Sequence, residues 1–494
     1  MSAARLLYSV EQVRAFDRRA IEVLHIPGYT LMKRAGEAAL RALRSRWPRA
    51  TQIAVVCGGG NNGGDGYVLA RFGQAAGLKV VALAAVPTDQ LRGEARRAAD
   101  EFLSSGGRVD PISAAALLPG EVIVDALLGT GVREPLRPEA QLAISAINHC
   151  GRPVLALDLP SGLDGDSGQE LGEAVRADCT ITFVAAKCGL LLGAGPECTG
   201  RLIVDDLDVP TLPGGQGAPV LECLDARDIA HALPSRPRQA HKGDFGRVLI
   251  IGGAPGMPGA VRLAGEACLR VGAGLVHVAC APVNVAAIGA GRPELMSLGL
   301  ESAADLAPLL RDADVVAIGP GLGRADWSRQ LWSAALGSGK PLVIDADALN
   351  LLAESGQRAP QAILTPHPGE AARLLGTDSA SVQRDRVGAL KALVARHDGV
   401  VILKGAGTLV GAAGHITALC ASGNPGMASA GMGDVLTGAV AGILAQCRDP
   451  WQAAVAAVQA HAMAGDELAH SHGQRGILAL EVAAGLTRWV NGQA

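Results

Sequence analysis

Short apolar strands alternate with helical segments along the whole chain, and one strand after another ends in glycine, asparagine or aspartate. Strands separated by helices do not pair as hairpins. The pattern therefore dictates an α/β fold built on mostly parallel, doubly wound sheets. In the first half strands are read at 52–57, 79–86, 122–125 and 154–159, with 179–183 extending the sheet, and helices at 67–76, 91–103 and 139–148. Ahead of them Ser9-Val-Glu-Gln12 forms a capping box before a helix carrying Val13, Ile21 and Leu24. A second series has strands at 247–251, 275–279, 315–318, 341–345, 362–365 and 400–404, and helices at 258–271 and 369–375. Between the series, Thr211-Leu-Pro-Gly-Gly-Gln-Gly-Ala-Pro219 has linker composition. A chain of 494 residues exceeds one ordinary core. Domains are expected at 1–212 and 223–494, with a linker at 213–222.

Composition excludes several functions. Hydrophobic residues are 49% and charged residues 18%, as in a globular chain. The net charge of −3 comes without a Lys/Arg block, which argues against nucleic acid or an anionic membrane as partner. Aromatics at 3% supply no stacking platform. The ten cysteines form no CxxC pair, and Cys57, Cys179, Cys280 and Cys420 sit in or beside apolar runs, as buried thiols of a reducing cytoplasm. The uncharged run 271–291 contains His277, Pro282 and Asn284 and reads as strand plus loop.

The first strand ends in Gly58-Gly-Gly-Asn-Asn-Gly-Gly-Asp-Gly66. Gly58, Gly60 and Gly63 satisfy a dinucleotide-binding spacing, but the next strand ends Ala-Ala-Val86-Pro without the acidic residue that grips a ribose. Two more strand ends are polar: Asp125 before Leu-Leu-Gly-Thr-Gly131, and Asp158 before Leu-Pro-Ser161. Ligands sit at such carboxyl ends, so Asn62, Asp125, Asp158 and Ser161 are expected to share a pocket whose oxygens suit a hard cation. Asx-turns are the alternative use of these residues. Lys187 reads by default as a surface or snorkelling lysine.

In the second half, Ile318-Gly-Pro-Gly-Leu-Gly323 is a strand-to-glycine turn, and Asp345 and Asp347 follow a buried strand. His367 stands between two prolines, as a ligand contact or as a pin for its loop. Lys404-Gly-Ala-Gly-Thr408 suits a nucleotide phosphate or a glycine-turned hairpin. No Walker A sequence is present. Phosphate must then use Gly423-Asn-Pro-Gly-Met-Ala-Ser-Ala-Gly-Met-Gly-Asp434, a glycine-rich entry to a helix read at 434–445. Asp434 reads either as a helix cap or as an acid/base group.

Together these motifs resemble two known families. Gly-Gly-Gly-Asn-Asn-Gly-Gly-Asp-Gly-Tyr-Val, Val-Asp-Ala-Leu-Leu-Gly-Thr-Gly and Asp-Leu-Pro-Ser-Gly-Leu-Asp, over about residues 10–210, resemble the NAD(P)H-hydrate epimerase domain. The resemblance implies a Rossmann-like fold that interconverts the R and S epimers of hydrated NADH and NADPH. It implies a substrate site at Asn61, Asn62, Gly63, Gly64, Asp65, Gly129, Thr130, Gly131, Val132, Arg133, Glu134, Pro135 and Asp158. It also implies potassium near Asn62, Asp125 and Ser161, with Asp158 touching the substrate; epimerisation at C6 needs a proton-transfer group, for which Asp158 is the expected catalyst and Lys187 an assistant. Lys-Gly-Asp-Phe-Gly, Gly-Pro-Gly-Leu-Gly, Asp-Ala-Asp-Ala-Leu-Asn, Thr-Pro-His-Pro-Gly-Glu, Lys-Gly-Ala-Gly-Thr and the Gly423–Asp434 stretch, over about residues 225–490, resemble the ADP/ATP-dependent NAD(P)H-hydrate dehydratase of the ribokinase-like superfamily. That resemblance places Ala260, Gly321, Gly323, His367 and Asp434 on the hydrate. It places Lys404, Gly405, Ala406, Gly407, Thr408 and Gly433 on the nucleotide, with ADP and magnesium as the expected co-substrate and metal. A homo-oligomer without nucleic-acid or membrane partners is expected. The rival readings are a vitamin- or sugar-type kinase with an accessory domain, and a non-enzymatic nucleotide sensor.

Overall fold

The computed structural model describes residues 5–132, 135–210 and 217–492. The chain divides into two compact units, Met1–Leu221 and Glu222–Ala494. In the first unit β1 (Leu6–Tyr8) leads into helix α1 (Val10–Glu22), and helices α2 (Gly28–Arg46) and α3 (Asn61–Ala75) flank β2 (Gln52–Cys57). There follow β3 (Lys79–Ala84), β4 (Val109–Pro111), β5 (Val122–Ala126), β6 (Val154–Leu157), β7 (Cys179–Phe183), β8 (Ala186–Lys187) and β9 (Arg201–Asp205). Seven of these form a parallel sheet in the order β4-β3-β2-β5-β6-β7-β9. The chain builds outward from β2 to β4, then crosses back to β5 on β2's other side. The carboxyl ends of β2 and β5 thus lie where strand order reverses, the usual ligand crevice of such sheets. β5, β6 and β7 are buried at every residue, as strands covered on both faces must be.

A short strand β10 (Leu221–Cys223) spans the division. The second unit repeats the winding with β11 (Arg247–Ile251), β12 (Leu275–Cys280), β13 (Met296–Gly299), β14 (Val315–Ile318), β15 (Leu342–Ile344), β16 (Ile363–Leu364) and β17 (Val400–Leu403), all parallel. Its sheet runs β13-β12-β11-β14-β15-β16-β17 and then turns antiparallel through β18 (Thr408–Gly411) and β19 (Thr417–Cys420). The helix Met432–Cys447 is apolar over most of its surface and lies in the core of this unit.

Some readings of the sequence need correction. The glycine-rich stretch after β2 is not a loop before a helix at residue 67, because α3 already begins at Asn61. Glycines are tolerated there because they pack: a Cβ on Gly63 would lie 2.0 Å from the Gly58 carbonyl, and one on Gly64 would lie 2.5 Å from Met32. The helix read at 434–445 begins at Met432, capped by Gly431 at φ +88°, so Asp434 stands in its first turn and is not the cap. The capping box at Ser9 and Gln12 is present, but Ile21 and Leu24 are exposed, while Val13, Phe16 and Ala20 are buried. The four cysteines expected inside are buried and free. In the run 271–291, β12 leads to a short helix, Val285–Gly291. No helix among the described residues is long and apolar enough to cross a membrane.

Just beyond β2, Gly58 lies against the backbone that follows β5, and a Cβ there would stand 1.8 Å from the Leu127 carbonyl. The atoms it would meet are all Leu127 backbone, so no flexible side chain can move aside. Gly58→Ala is expected to cost about 1–3 kcal/mol, read as a lower melting temperature for the first unit alone in differential scanning calorimetry.

Candidate active sites

In the first unit three strand ends converge. Asn62, in the opening turn of α3, donates from Nδ2 to the Leu128 carbonyl at 2.8 Å, and the Leu128 N–H donates to Ser161 Oγ at 2.8 Å. Ser161 donates from Oγ to Asp125 Oδ1 at 2.6 Å and from its N–H to Oδ2 at 2.8 Å. The Leu127 N–H also donates to Asp125 Oδ1 at 3.2 Å, so the Asx-turn is present within the cluster. Burial pushes the Asp125 carboxyl up to about 6, against the pull of these hydrogen bonds. Asn62 Oδ1 is buried and has no hydrogen-bond partner among the described residues. Asn62, Asp125 and Ser161 therefore meet at the Leu127–Leu128 backbone, with one carbonyl oxygen left over.

Asp158 lies just beyond β6 at φ +65°, a left-handed conformation that a non-glycine residue enters at a cost. Its N–H donates to the Ile181 carbonyl at 2.7 Å, which holds that backbone in place. Lys187 is not a surface lysine: it is 1% exposed, and its Nζ donates to Asp158 Oδ1, to Thr182 Oγ1 at 2.9 Å and to the Phe183 carbonyl at 2.9 Å. All three ammonium protons are thereby used. Asp158 opens onto a cavity of about 1220 Å³. Asn61, Asn62, Asp65, residues 129–132 and Pro135 also line it. Gly63 and Gly64 face Gly58 and Met32 instead, and Arg133 and Glu134 fall outside the described residues. Asp65 is held well above the usual carboxylate range by burial and by the Asp158 and Asp17 charges.

The second unit also gathers carboxylates around a lysine. Lys404 Nζ donates to Asp345 Oδ1 at 2.8 Å and lies 3.8 Å from Glu370 Oε2. Asp345 also accepts from Thr365 Oγ1 and Thr437 Oγ1, each at 2.7 Å. Burial works against the Asp345 charge, but Lys404 and the two hydroxyls outweigh it and hold the carboxyl below its ordinary range. Burial pushes Glu370 up to about 7. It also pushes Asp434 up to about 7, aided by the charges of Asp345 and Asp347 and opposed by Lys404. A Cβ on Gly433 would meet Lys404 Nζ at 3.4 Å, which places the helix entry directly at the lysine.

The remaining expected residues group around this centre. Gly321 packs against Ala260, where its own Cβ would come within 3.1 Å, and the Gly323 N–H donates to Asp347 Oδ2 at 2.8 Å. His367 caps the helix Pro368–Leu375: its Nδ1 accepts from the Gly369 N–H at 3.0 Å and its Nε2 lies 3.4 Å from Glu370 Oε1. The histidine thus pins its loop while its side chain stays half exposed. Residues 404–407 form the turn between antiparallel β17 and β18, with Gly405 and Gly407 at positive φ, and Thr408 opens β18. Arg386 holds that turn by donating to the carbonyls of Leu403 at 3.2 Å, Lys404 at 3.4 Å and Gly407 at 3.1 Å.

The description "YjeF-related protein N-terminus" matches residues 28–189, and "NAD(P)H-hydrate dehydratase" matches residues 248–488. The chain is 47% identical over 486 residues to the bifunctional NAD(P)H-hydrate repair enzyme Nnr of Coxiella burnetii, covering 98% of this chain and 99% of that one. The chain belongs to the bifunctional NAD(P)H-hydrate repair enzyme family. Among solved structures, a ribokinase-like superfamily protein from Enterococcus faecalis V583 aligns at TM-score 0.52 and 30% identity, over 56% of this chain and 96% of that one. The ADP/ATP-dependent NAD(P)H-hydrate dehydratase from Bacillus subtilis, co-crystallized with ATP/Mg2+, aligns at TM-score 0.50 and 29% identity, over 55% and 98%. In this member of the family several site residues escaped sequence reasoning. Asp345 was visible as a strand end, but not its pairing with Lys404, 59 positions later. Glu370 and Thr365 stood in a quoted motif without a role of their own, and Arg386, Asp17 and Thr437 were not singled out.

Proposed function

We propose that the first unit interconverts the R and S epimers of hydrated NADH and NADPH, and that the second dehydrates the S epimer with ADP, releasing AMP and phosphate. What supports this most is the family match over 98% of the chain, joined to two separate centres where carboxylates gather at a lysine. A dehydratase for one epimer strands the other, so an epimerase on the same chain completes the repair.

At the first centre C6 of the hydrate lies against Asp158, a proton-transfer group for the hydroxyl exchanged there. Lys187 holds Asp158 in place. The orphaned Asn62 oxygen, with Asp125 and Ser161, fits a potassium ion, an oxygen-seeking cation that would offset substrate phosphate charge. At the second centre Asp434 takes the hydroxyl proton as the hydroxyl attacks the terminal phosphorus of ADP. The new O–P bond turns hydroxide, a poor leaving group, into phosphate, a good one. The first N–H groups of the helix Met432–Cys447 face the transferring group, and residues 404–408 with Gly433 hold the nucleotide. Ala260, Gly321, Gly323 and His367 form the hydrate side. Magnesium would neutralise phosphate charge; it commonly binds through substrate phosphates and needs no dedicated protein cage. Among the described residues no group of three or more His, Cys, Asp or Glu is arranged around a metal. The ten free cysteines fit a reducing cytoplasm.

The test is an assay of the full chain with ADP, Mg2+ and mixed epimers of NADPH hydrate, following the return of reduced-nicotinamide absorbance. Complete recovery is expected, with the R-epimer phase slowed when choline replaces potassium. No recovery, together with ATP-dependent phosphorylation of a pyrimidine alcohol, would establish the kinase reading instead.

A further inference from the structure

Helix α1 brings to the epimer site a carboxylate that no motif assigned. Strand β1 pairs in parallel with β8, Tyr8 opposite Lys187, and Ser9 caps α1 immediately afterwards. The helix therefore starts beside the lysine that holds Asp158. Two hydrogen bonds fix its position: the Val10 N–H donates to Asp166 Oδ1 at 2.7 Å, and Arg14 Nη2 donates to the Thr130 carbonyl at 2.8 Å. Val13, Arg14, Asp17 and Ile21 form one stripe of the helix and line the cavity. Asp17 lies ahead of residues 28–189, the segment that the family model covers.

Asp17 has little reason to be there for packing. It is half-buried, and the charges that act on it are those of Lys187 and Asp158. Burial pushes it up to about 6, with Asp158 adding to the rise and Lys187 opposing it. The other charged groups on this cavity are Arg14 on its own helix, Asp65 on α3, and Glu94, Arg137 and Glu139. One carboxyl is thus favoured neutral while the other is clamped by an ammonium. Paired sites that divide labour between acid and base have this character.

We propose that Asp17 is the second catalytic carboxyl of the epimerisation, acting with Asp158 as an acid–base pair on the C6 hydroxyl. The proposal rests on the epimerase reading of the first unit. In the R epimer the lone pair of ring nitrogen N1 forms a C6=N1 iminium as the C6–O bond breaks. The oxygen leaves with the bonding pair, takes the Asp17 proton and departs as water. A second water adds to the other face of the now planar C6, the C6–O bond forms, and the electron pair returns to N1. The Asp158 carboxylate takes the surplus proton. The net change is inversion at C6, exchange of one water and transfer of one proton from Asp17 to Asp158, which solvent in the cavity returns. In the S-to-R direction Asp158 is the acid and Asp17 the base.

The experiment uses the full chain and purified R epimer of NADPH hydrate in ¹⁸O-water, without ADP, with spontaneous rates subtracted. For the wild type, ¹⁸O at C6 is expected to appear at the rate of R-to-S conversion. In Asp17→Asn both are expected to fall together by about 10²–10⁴-fold, while ADP-dependent dehydration of the S epimer is unchanged. Asp17→Glu is expected to recover part of the loss, which removal of a packing residue would not allow. An Asp17→Asn protein that converts R to S at the wild-type rate overturns the proposal. So does wild-type inversion without label. A wild type that does not accelerate conversion at all removes the epimerase reading itself, and with it this assignment.

Discussion

Replacing Asp434 with alanine is expected to abolish ADP-dependent dehydration and leave epimer interconversion at the wild-type rate. The helix entry supplies the reason. Gly431 takes the capping position, so the Asp434 side chain is not needed to cap the helix, and it stands near Lys404, Asp345 and Asp347. Losing a positioned general base lowers kcat by about 10²–10⁴-fold, measured on purified S epimer with saturating ADP. Structural damage should be small, because removing a half-buried carboxylate that burial already disfavours leaves no orphaned cation: Lys404 keeps Asp345. The pH dependence has a definite sign. A base works only when ionised, and burial has raised Asp434 to about 7. Wild-type dehydration should therefore climb as pH rises through about 7 and level off above it. Loss of both activities in a folded Asp434→Ala protein would refute the two-centre division.

Lys187→Met is expected to be the most damaging single change in the first unit. Methionine nearly matches the lysine stem but removes the charge that Asp158, Asp17 and Asp65 share. Breaking one partner out of a buried ion pair costs about 3–5 kcal/mol, and Thr182 and the Phe183 carbonyl lose their donor as well. For a unit of this size the melting temperature should fall by on the order of 10 °C, read as the first unit's calorimetric transition. Epimerisation should be lost, with dehydration of the S epimer retained. Without the cation the Asp17 and Asp65 carboxyls, already raised, move further upward, so the folded unit binds more protons than the unfolded chain. The variant's stability should therefore increase as pH falls toward 5, opposite to an ordinary salt-bridge loss. An unchanged melting temperature would mean that the lysine is ordinary packing.

Both sites were partly legible in the sequence, and the reason lies in parallel sheets. Each strand reads as an uninterrupted apolar run, so the polar residue that ends it stands out: Asp125, Asp158, Asp345 and Lys404 were all visible in this way. Short edge strands such as β4 and β13 were not, because three or four residues carry too little pattern. Lys187 misled for a physical reason. A lysine after an apolar strand is normally solvated, and only the fold brings it under Asp158, 29 positions earlier. Asp17 was hidden because an acidic residue on an amphipathic helix looks the same whether it faces water or a water-filled cavity. The glycines of α3 misled in the other direction. A run that weakens a helix in isolation is helical here because Gly63 and Gly64 pack where no side chain fits.

The left-handed backbone at Asp158 limits how this position can drift over evolutionary time. At φ +65° only glycine, asparagine and aspartate sit comfortably. The proton transfer proposed for it asks for a carboxylate, which removes glycine and asparagine. Glutamate has the charge, but it lacks the short side chain that suits this conformation and would carry its oxygens one methylene past Lys187. Two independent filters, one steric and one electrostatic, leave a single residue where both are passed. The position can change only if the turn after β6 is rebuilt along with it.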